Sequence, residues 1–426
     1  MRRAATQVGI ATLVVAIVGY VVQFLAARWL GPADYASFAV FWAVLFVVIA
    51  CLHGLAQEVI RVARVAKLRI DAGGLPGSEL SGNPRIVLVA VVLSAAVAVI
   101  VFISGFAWAP WAFGADWSWA LPLLCIAAVV VGGGFGAVAV LAGFARWRGY
   151  SLLVCLEGVS RLGFFLFVAL ALPTVFGFSL AAVLAFVPGL IVALCWPSLR
   201  RDTFDIRSDA PLSISITRML RAMAAAALSG ILVIGWPALL SIAAEFNPRG
   251  TTTSSLGVLI LLVTLTRAPI MVPLTSFQNA LIARFTGFDH ATRQRWVIGG
   301  VGIVLAASAV LAGLAALIGP PLMPIIFGPG FEAGAWIIAA LTAASAGLGI
   351  ITLTGVAALG AAQHNLYLLG WGTAIAGSVL ALFLIPLPFE WATVAALVIG
   401  PLVGAAVHAV SLVRSVPLKP LVQHQD

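Results

Sequence analysis

The sequence predicts an all-α polytopic membrane protein, with about twelve transmembrane helices in two parallel six-helix lobes around a central cavity. Three observations carry that prediction. Of the 426 residues, 63% are hydrophobic and only 9% are charged, a balance outside the range of soluble domains. The apolar residues form continuous runs of about twenty, the length a helix needs to cross a hydrocarbon core, and lack the period-two alternation of a transmembrane barrel. Charged and turn-forming residues collect between those runs.

The first run, near 8–27, ends in Ala27-Arg28-Trp29-Leu30-Gly31-Pro32-Ala33-Asp34-Tyr35. Gly31-Pro32 stops a helix there, because proline lacks a donor and clashes with a continuing turn. A second run, 36–56, follows at once, so the two make a hairpin with Arg28 at the end of its first arm. Arg2-Arg3 ahead of the first run resembles a signal peptide, but the run is too long for a typical h-region and many spans follow, which favours an uncleaved helix. The remaining spans fall near 86–107, 120–141, 151–171, 175–196, 222–244, 254–282, 297–318, 333–358, 367–386 and 391–413.

The net charge of +9 does not indicate a nucleic-acid partner, because the basic residues lie between apolar spans, where they set orientation. With the N-terminus inside, all but four of the 23 lysines and arginines fall on inner segments. Arg28 and Arg249 are left outside, and Arg161 and Arg267 lie within spans. The positive-inside rule therefore predicts a cytoplasmic membrane protein of a bacterium with both termini in the cytoplasm and the first hairpin facing outward. Cys51, Cys125, Cys155 and Cys195 sit far apart in apolar runs, which suits small packing residues and not a disulfide or metal set.

A polar stretch at 197–221 divides six spans from six. The division predicts an N-terminal lobe over 1–199, a cytoplasmic linker over 200–221, a C-terminal lobe over 222–413 and a cytoplasmic tail over 414–426, as in transporters built from repeated halves. Local sequence supports a duplication. Phe113-Gly114 precedes the fourth span and Phe327-Gly328 the tenth, and Gly143 to Tyr150 has the same Gly-to-Tyr spacing as Gly360 to Tyr367. Six is even, so the halves enter the membrane in the same orientation.

Soluble-enzyme motifs are missing. Gly134-Phe135-Gly136 formally fits part of a dinucleotide fingerprint, but it lies in an apolar span with no strand before it, so its glycines are read as close-packing residues. There is no phosphate-binding loop with lysine and no zinc-protease helix, and no cofactor or metal is expected.

The hairpin Arg28 to Phe38, the Phe-Gly motifs and Gly360 to Tyr367 together resemble the multidrug/oligosaccharidyl-lipid/polysaccharide exporter superfamily, in particular its polysaccharide-flippase branch. That branch has Leu-Gly-Pro, an acidic residue and Tyr-Gly in the first hairpin, and here Ala36 replaces the last glycine. The resemblance implies outward movement of a polyprenyl-phosphate-linked sugar or oligosaccharide by alternating access, for cell-surface polysaccharide assembly. It also implies membrane lipids and polysaccharide-assembly glycosyltransferases as partners. The two additional helices usual in lipid II flippases are absent from the pattern.

Such a substrate needs buried cations for phosphate and polar groups for sugar, and charged residues inside spans are the candidates. Arg267 lies in span eight beside Pro269 and Pro273, which free carbonyls and permit a kink or break. It is read as the phosphate site, against a paired or snorkelling arginine, and the resemblance places a cavity-facing arginine at a similar position. Glu157 and Arg161 are one turn apart in span five and form either a structural ion pair or a substrate- or proton-coupling pair. Arg28 matches an arginine of the lipid II branch, and its alternative is an interfacial anchor beside Trp29. Arg61, with Arg64 and Lys67, lies along one side of a helix as a positive-inside anchor or a landing strip for anionic head groups. Gln278 and Asn279 either bind sugar hydroxyls or satisfy neighbouring backbone.

Two other functions remain in competition. A drug or small-molecule antiporter of the same superfamily would use buried carboxylates for cation coupling, and Glu157 is the only acid deep in a span. A polyprenyl-dependent glycosyltransferase or polymerase would need a substantial outer loop, and Asp116, Glu245, Glu332 and Glu390 are instead scattered singly.

Overall fold

The computed structural model of the chain describes residues 2–73, 82–247, 249 and 251–413. The expected tail over 414–426 lies outside the described residues. Among those described, the structure is all-helical, as the apolar runs predict: α1 (Arg2–Asp71), α2 (Ile86–Phe113), α3 (Trp117–Gly143), α4 (Trp147–Ala171), α5 (Val175–Leu184), α6 (Val187–Cys195), α7 (Pro197–Asp205), α8 (Leu212–Val233), α9 (Trp236–Phe246), α10 (Thr253–Thr286), α11 (His290–Phe327), α12 (Ala335–Gly360), α13 (His364–Leu384) and α14 (Phe389–Val413). Ten helical segments among the described residues are long and apolar enough to cross a membrane. Two of these, 59 and 58 residues long, have the length of two crossings each. The chain is a multi-pass membrane protein.

The breaks are where glycine and proline put them, though some are smaller than expected. Gly31 interrupts α1 for one residue (φ 72°, ψ 174°), after which Pro32 starts the second crossing. The predicted span 175–196 is split into α5 and α6 ahead of Pro188, and the predicted span 222–244 is split by Gly235 and Pro237 into α8 and α9. By contrast, α10 runs unbroken through Pro269 and Pro273, where the sequence predicts a kink or break.

Packing divides the chain into two compact units, Met1–Leu261 with Gly319–Ala333, and Leu262–Ile318 with Gly334–Asp426. In the first unit α8 lies tightly on α1. A Cβ on Gly54 would sit 2.5 Å from the Ala222 backbone, and one on Gly230 would sit 2.9 Å from Ala50. Small residues allow such approach where lipid supplies no hydrophobic drive between helices. In the second unit α12 is the buried centre, and His408 of α14 pins α12 to α13. Its Nε2 lies 3.1 Å from the Tyr367 carbonyl and its Nδ1 lies 3.3 Å from Thr354 Oγ1.

The repeated motifs have the same backbone form in each unit. Ala145 (φ 56°) and Ala362 (φ 58°) are both left-handed, two residues after Gly143 and Gly360. Arg146 N bonds the Leu141 carbonyl as Gln363 N bonds that of Ala358, both at 2.8–2.9 Å. Gly143 packs on α1 at Ile60 and Ala63, and Gly360 packs on α10 at Phe285. Neither glycine has room for a Cβ, which is why the pattern starts with glycine in both halves.

Candidate functional site

Within the first unit, α1, α3, α4 and α6 enclose a cavity of about 370 Å³. Phe46 and His53 of α1, Phe135 of α3, Tyr150, Glu157 and Arg161 of α4, and Phe186 ahead of α6 face it. The helical spacing of Glu157 and Arg161 puts both on one wall, and Arg161 Nη2 donates to Glu157 Oε1. The Arg161 side chain is 3% exposed and that of Glu157 is 24% exposed, so the carboxylate is the partner nearer the open space.

A guanidinium so deep needs more than one carboxylate to offset lost hydration. Three aromatic faces supply the rest. The Arg161 Cζ lies 5.3 Å from the Phe46 centroid, 5.3 Å from Phe186 and 5.8 Å from Trp42. Cation–π attraction strengthens in such desolvated sites. Arg161 Nε has no hydrogen-bond partner among the described residues. The cavity therefore holds a neutralised ion pair with one donor to spare, ringed by aromatic carbon. Sequence reasoning found the pair and missed Trp42, Phe46, His53, Tyr150 and Phe186, since nothing in their local spacing links three separate helices.

The hairpin is built by contacts between the two most distinctive motifs. Tyr35 and Phe331 rings meet edge-on at 6.0 Å, Phe24 meets Phe327 at 6.1 Å, and Tyr35 donates its hydroxyl hydrogen to Gln23 Oε1 at 3.0 Å. A Cβ on Gly330 would lie 3.1 Å from Pro32 Cγ, and one on Gly257 would lie 1.8 Å from the Pro32 carbonyl oxygen. Arg28 is exposed, with its Nη1 beside Gly328.

At the other end of α1, Arg61 is held by two carboxylates. It donates to both Glu58 oxygens at 2.7–2.8 Å and to both Asp209 oxygens at 2.7–2.9 Å. The Arg61 guanidinium keeps the Asp209 carboxyl below its ordinary range. Asp202 pairs with Arg146, and Asp205 lies 3.9 Å from Arg85. Asp202 and Asp205 thus each take an arginine from the start of a different helix, while Asp209 takes Arg61 of α1 and also lies 3.8 Å from Arg218 of α8. Main-chain bonds from Ile86 N to the Ile206 carbonyl and from Ser208 N to that of Pro84 fasten the same segment.

In the second unit, Arg267 is half-buried on α10 and is engaged in an interaction of its own, and Gln278 is half-buried further along. The Asn279 side chain lies outside the described residues. A groove of about 730 Å³ between α10, α11 and α12 is lined by Pro269, Pro273, Phe277, Ile303 and other apolar groups, with Arg295 and Trp296 at one end. Arg267 and Gln278 are not among its lining residues.

No family model matches the chain. It is 36% identical over 416 residues to the uncharacterized protein Mb3654 of Mycobacterium bovis, the alignment covering 96% of this chain and 92% of that one. It is 35% identical over 416 residues to the uncharacterized protein Rv3630 of Mycobacterium tuberculosis and 35% over 432 residues to Rv1510 of the same organism, again covering 92% of each. Among solved structures, an inward-facing multidrug resistance MATE family transporter of the MOP superfamily superposes with a TM-score of 0.65 at 17% identity, over 94% of this chain and 96% of that chain. A mutant form of the Vibrio cholerae MATE transporter VcmN gives 0.61 at 16% identity, over 96% and 95%. A MOP superfamily transporter from Pyrococcus furiosus, described as having a binding pocket of reverse polarity, gives 0.58 at 15% identity, over 96% and 95%. The chain therefore belongs to one family with the mycobacterial proteins Mb3654, Rv3630 and Rv1510, and it has the fold of the MATE transporters of the MOP superfamily.

Proposed function

We propose that this chain is a flippase that carries a polyprenyl-phosphate-linked sugar or oligosaccharide across the cytoplasmic membrane by alternating access, for cell-surface polysaccharide assembly. The fold supports a transporter. The observation that carries the choice of cargo is the Glu157–Arg161 pair: the acid facing the first unit's cavity is neutralised by a buried arginine. A site for an organic cation needs net negative charge, and this one has none to spare. An anionic amphiphile meets a carboxylate already neutralised by the arginine buried behind it, with aromatic faces for sugar rings and no excess of negative charge. Arg267 is the second cation we assign to the route, since a charge kept inside a span is functional by default.

The test is reconstitution of the purified protein in liposomes loaded with a short-chain polyprenyl-diphosphate sugar, reading its appearance in the opposite leaflet with an impermeant lectin or glycosidase. Transport in the presence of the protein and its loss in Arg161→Ala support the proposal. The same exposure rate in protein-free liposomes overturns it. The competing reading, favoured by the multidrug resistance transporters that share the fold, predicts cation-gradient-driven efflux of an organic cation from the same vesicles.

A further inference from the structure

The groove of the second unit has a shape and a charge pattern that the proposed transport cycle has not used. It is lined from Pro269 to Phe285 along α10 and from Arg295 to Ala307 along α11, which at a helix's rise is roughly 20 Å of slot running with the helix axes. That is about two-thirds of a hydrocarbon core. Among its lining residues the sole charge is Arg295, at one end. Beside it, Trp296 carries the Arg284 guanidinium on its face, with Cζ 4.3 Å from the ring centroid, and Phe288 flanks it at 5.8 Å.

Among the described residues no salt bridge involves Arg284 or Arg295, although the exposed Asp289 carboxylate is close enough to Arg295 to feel its charge. The nearby Asp289 caps the start of α11 by accepting from Thr292 N at 3.2 Å. The third arginine of this corner, Arg293, is spent on the Phe285 and Phe288 carbonyls. A long apolar slot that ends at Arg295, with Arg284 stacked on the adjoining Trp296 and neither in a salt bridge, is complementary to one lipid chain with an anionic head.

We infer that this groove seats the isoprenoid tail of the carrier lipid, with its phosphate at Arg284 and Arg295. The inference rests on the flippase reading and assigns the lipid end of its substrate a place. Inside a bilayer an apolar chain gains little by leaving other chains, so selection falls to the arginines, and the slot fixes where the tail runs. The positive-inside rule puts this end at the inner leaflet, where the loaded carrier would be collected.

Gly299 makes the inference testable without disturbing the fold. It lines the groove, and a Cβ built on it meets nothing within 4 Å, as is also true of Gly302, which does not line it. Gly299→Leu should fill the slot, and Gly302→Leu is the matched control. The probe is a polyprenyl monophosphate with a photoreactive tail, added to the purified full chain in phosphatidylcholine nanodiscs. Crosslinks at Phe277 and Ile303, their loss in Gly299→Leu, their persistence in Gly302→Leu, and a fall in affinity of about fivefold for each of Arg284→Gln and Arg295→Gln are expected. Binding that is equal in wild type and Gly299→Leu, or displacement by an equal amount of phosphatidylglycerol, overturns the inference. Liposome transport is read separately. If wild type transports but Gly299→Leu binds normally, the groove falls and the flippase stands, whereas groove-dependent binding without transport leaves the groove as a lipid site and removes the flippase.

Discussion

At the residue scale the buried pair of α4 dominates. Arg161 is nearly inaccessible while Glu157 keeps contact with the cavity, so the two partners respond differently to removal. Arg161→Ala strands a carboxylate that can take up a proton from the cavity. Glu157→Gln strands a guanidinium that cannot discharge, with only the rings of Trp42, Phe46 and Phe186 around it. Breaking a buried pair costs about 3–5 kcal/mol, and the arginine-stranding variant should lie at the upper end of that range. Replacing both partners, as Glu157→Gln with Arg161→Met, should recover most of the loss, since an apolar chain of similar length suits the aromatic cage. Thermal melts of the detergent-solubilised protein measure all three, and a double variant as unstable as Glu157→Gln alone would contradict the argument. The pair was legible in the sequence because i,i+4 spacing is a local rule. The cage was not, because its members come from α1 and from the residue before α6, brought in by folding alone.

At the scale of elements, two clusters hold the ends of the first unit, and each has its own prediction. The hairpin depends on Gly31 and Gly257. Gly31 occupies backbone space that is almost closed to other residues, so Gly31→Ala should cost about 1–3 kcal/mol. Gly257→Ala drives a methyl into the Pro32 carbonyl, and overpacking of this kind costs about 1–3 kcal/mol; melting temperatures that match wild type in both variants would refute the close approach. The clasp at the other end depends on Asp209. Its folded carboxyl titrates below the ordinary aspartate value of about 3.9 because Arg61 stabilises the charged form. That contribution is fully present above the unfolded value and is lost as pH falls through the lower folded one. Hydrogen exchange in 202–211 should therefore accelerate only on acidification below about pH 4, and in Asp209→Asn it should be fast already at neutral pH. Sequence pattern identified both halves of the hairpin contact as motifs, Leu30-Gly31-Pro32 and Phe327-Gly328-Pro329, yet not that they touch, since nearly three hundred positions separate them and neither has a periodicity that points at the other. It identified the linker as polar but not as a row of aspartates matched to arginines of other helices, because single charges in a loop have no spacing rule.

At the scale of the whole molecule, the span pattern was legible almost throughout, because membrane length and backbone satisfaction leave few alternatives. Orientation is a separate matter, decided by charge. On the span pattern read from the sequence, only Arg28 and Arg249 of the 23 basic residues are expected on the side of the hairpin, apart from Arg161 and Arg267 within spans. A bias of that size predicts that the hairpin faces outward and that the linker, with Arg200 and Arg201, faces the cytoplasm. Four native cysteines, Cys51, Cys125, Cys155 and Cys195, must first become serine. A single cysteine at Asp34, an exposed position of the hairpin, should then react with an impermeant maleimide on intact cells, and one at Arg200, exposed in α7, should react only after permeabilisation. The outcome bears on transport as well as topology. By the same charge count Arg284 and Arg295, at the mouth of the second unit's groove, are predicted on the cytoplasmic side, where the proposed carrier would collect its lipid. Labelling of Arg200→Cys on intact cells would contradict the positive-inside reading on which that placement rests.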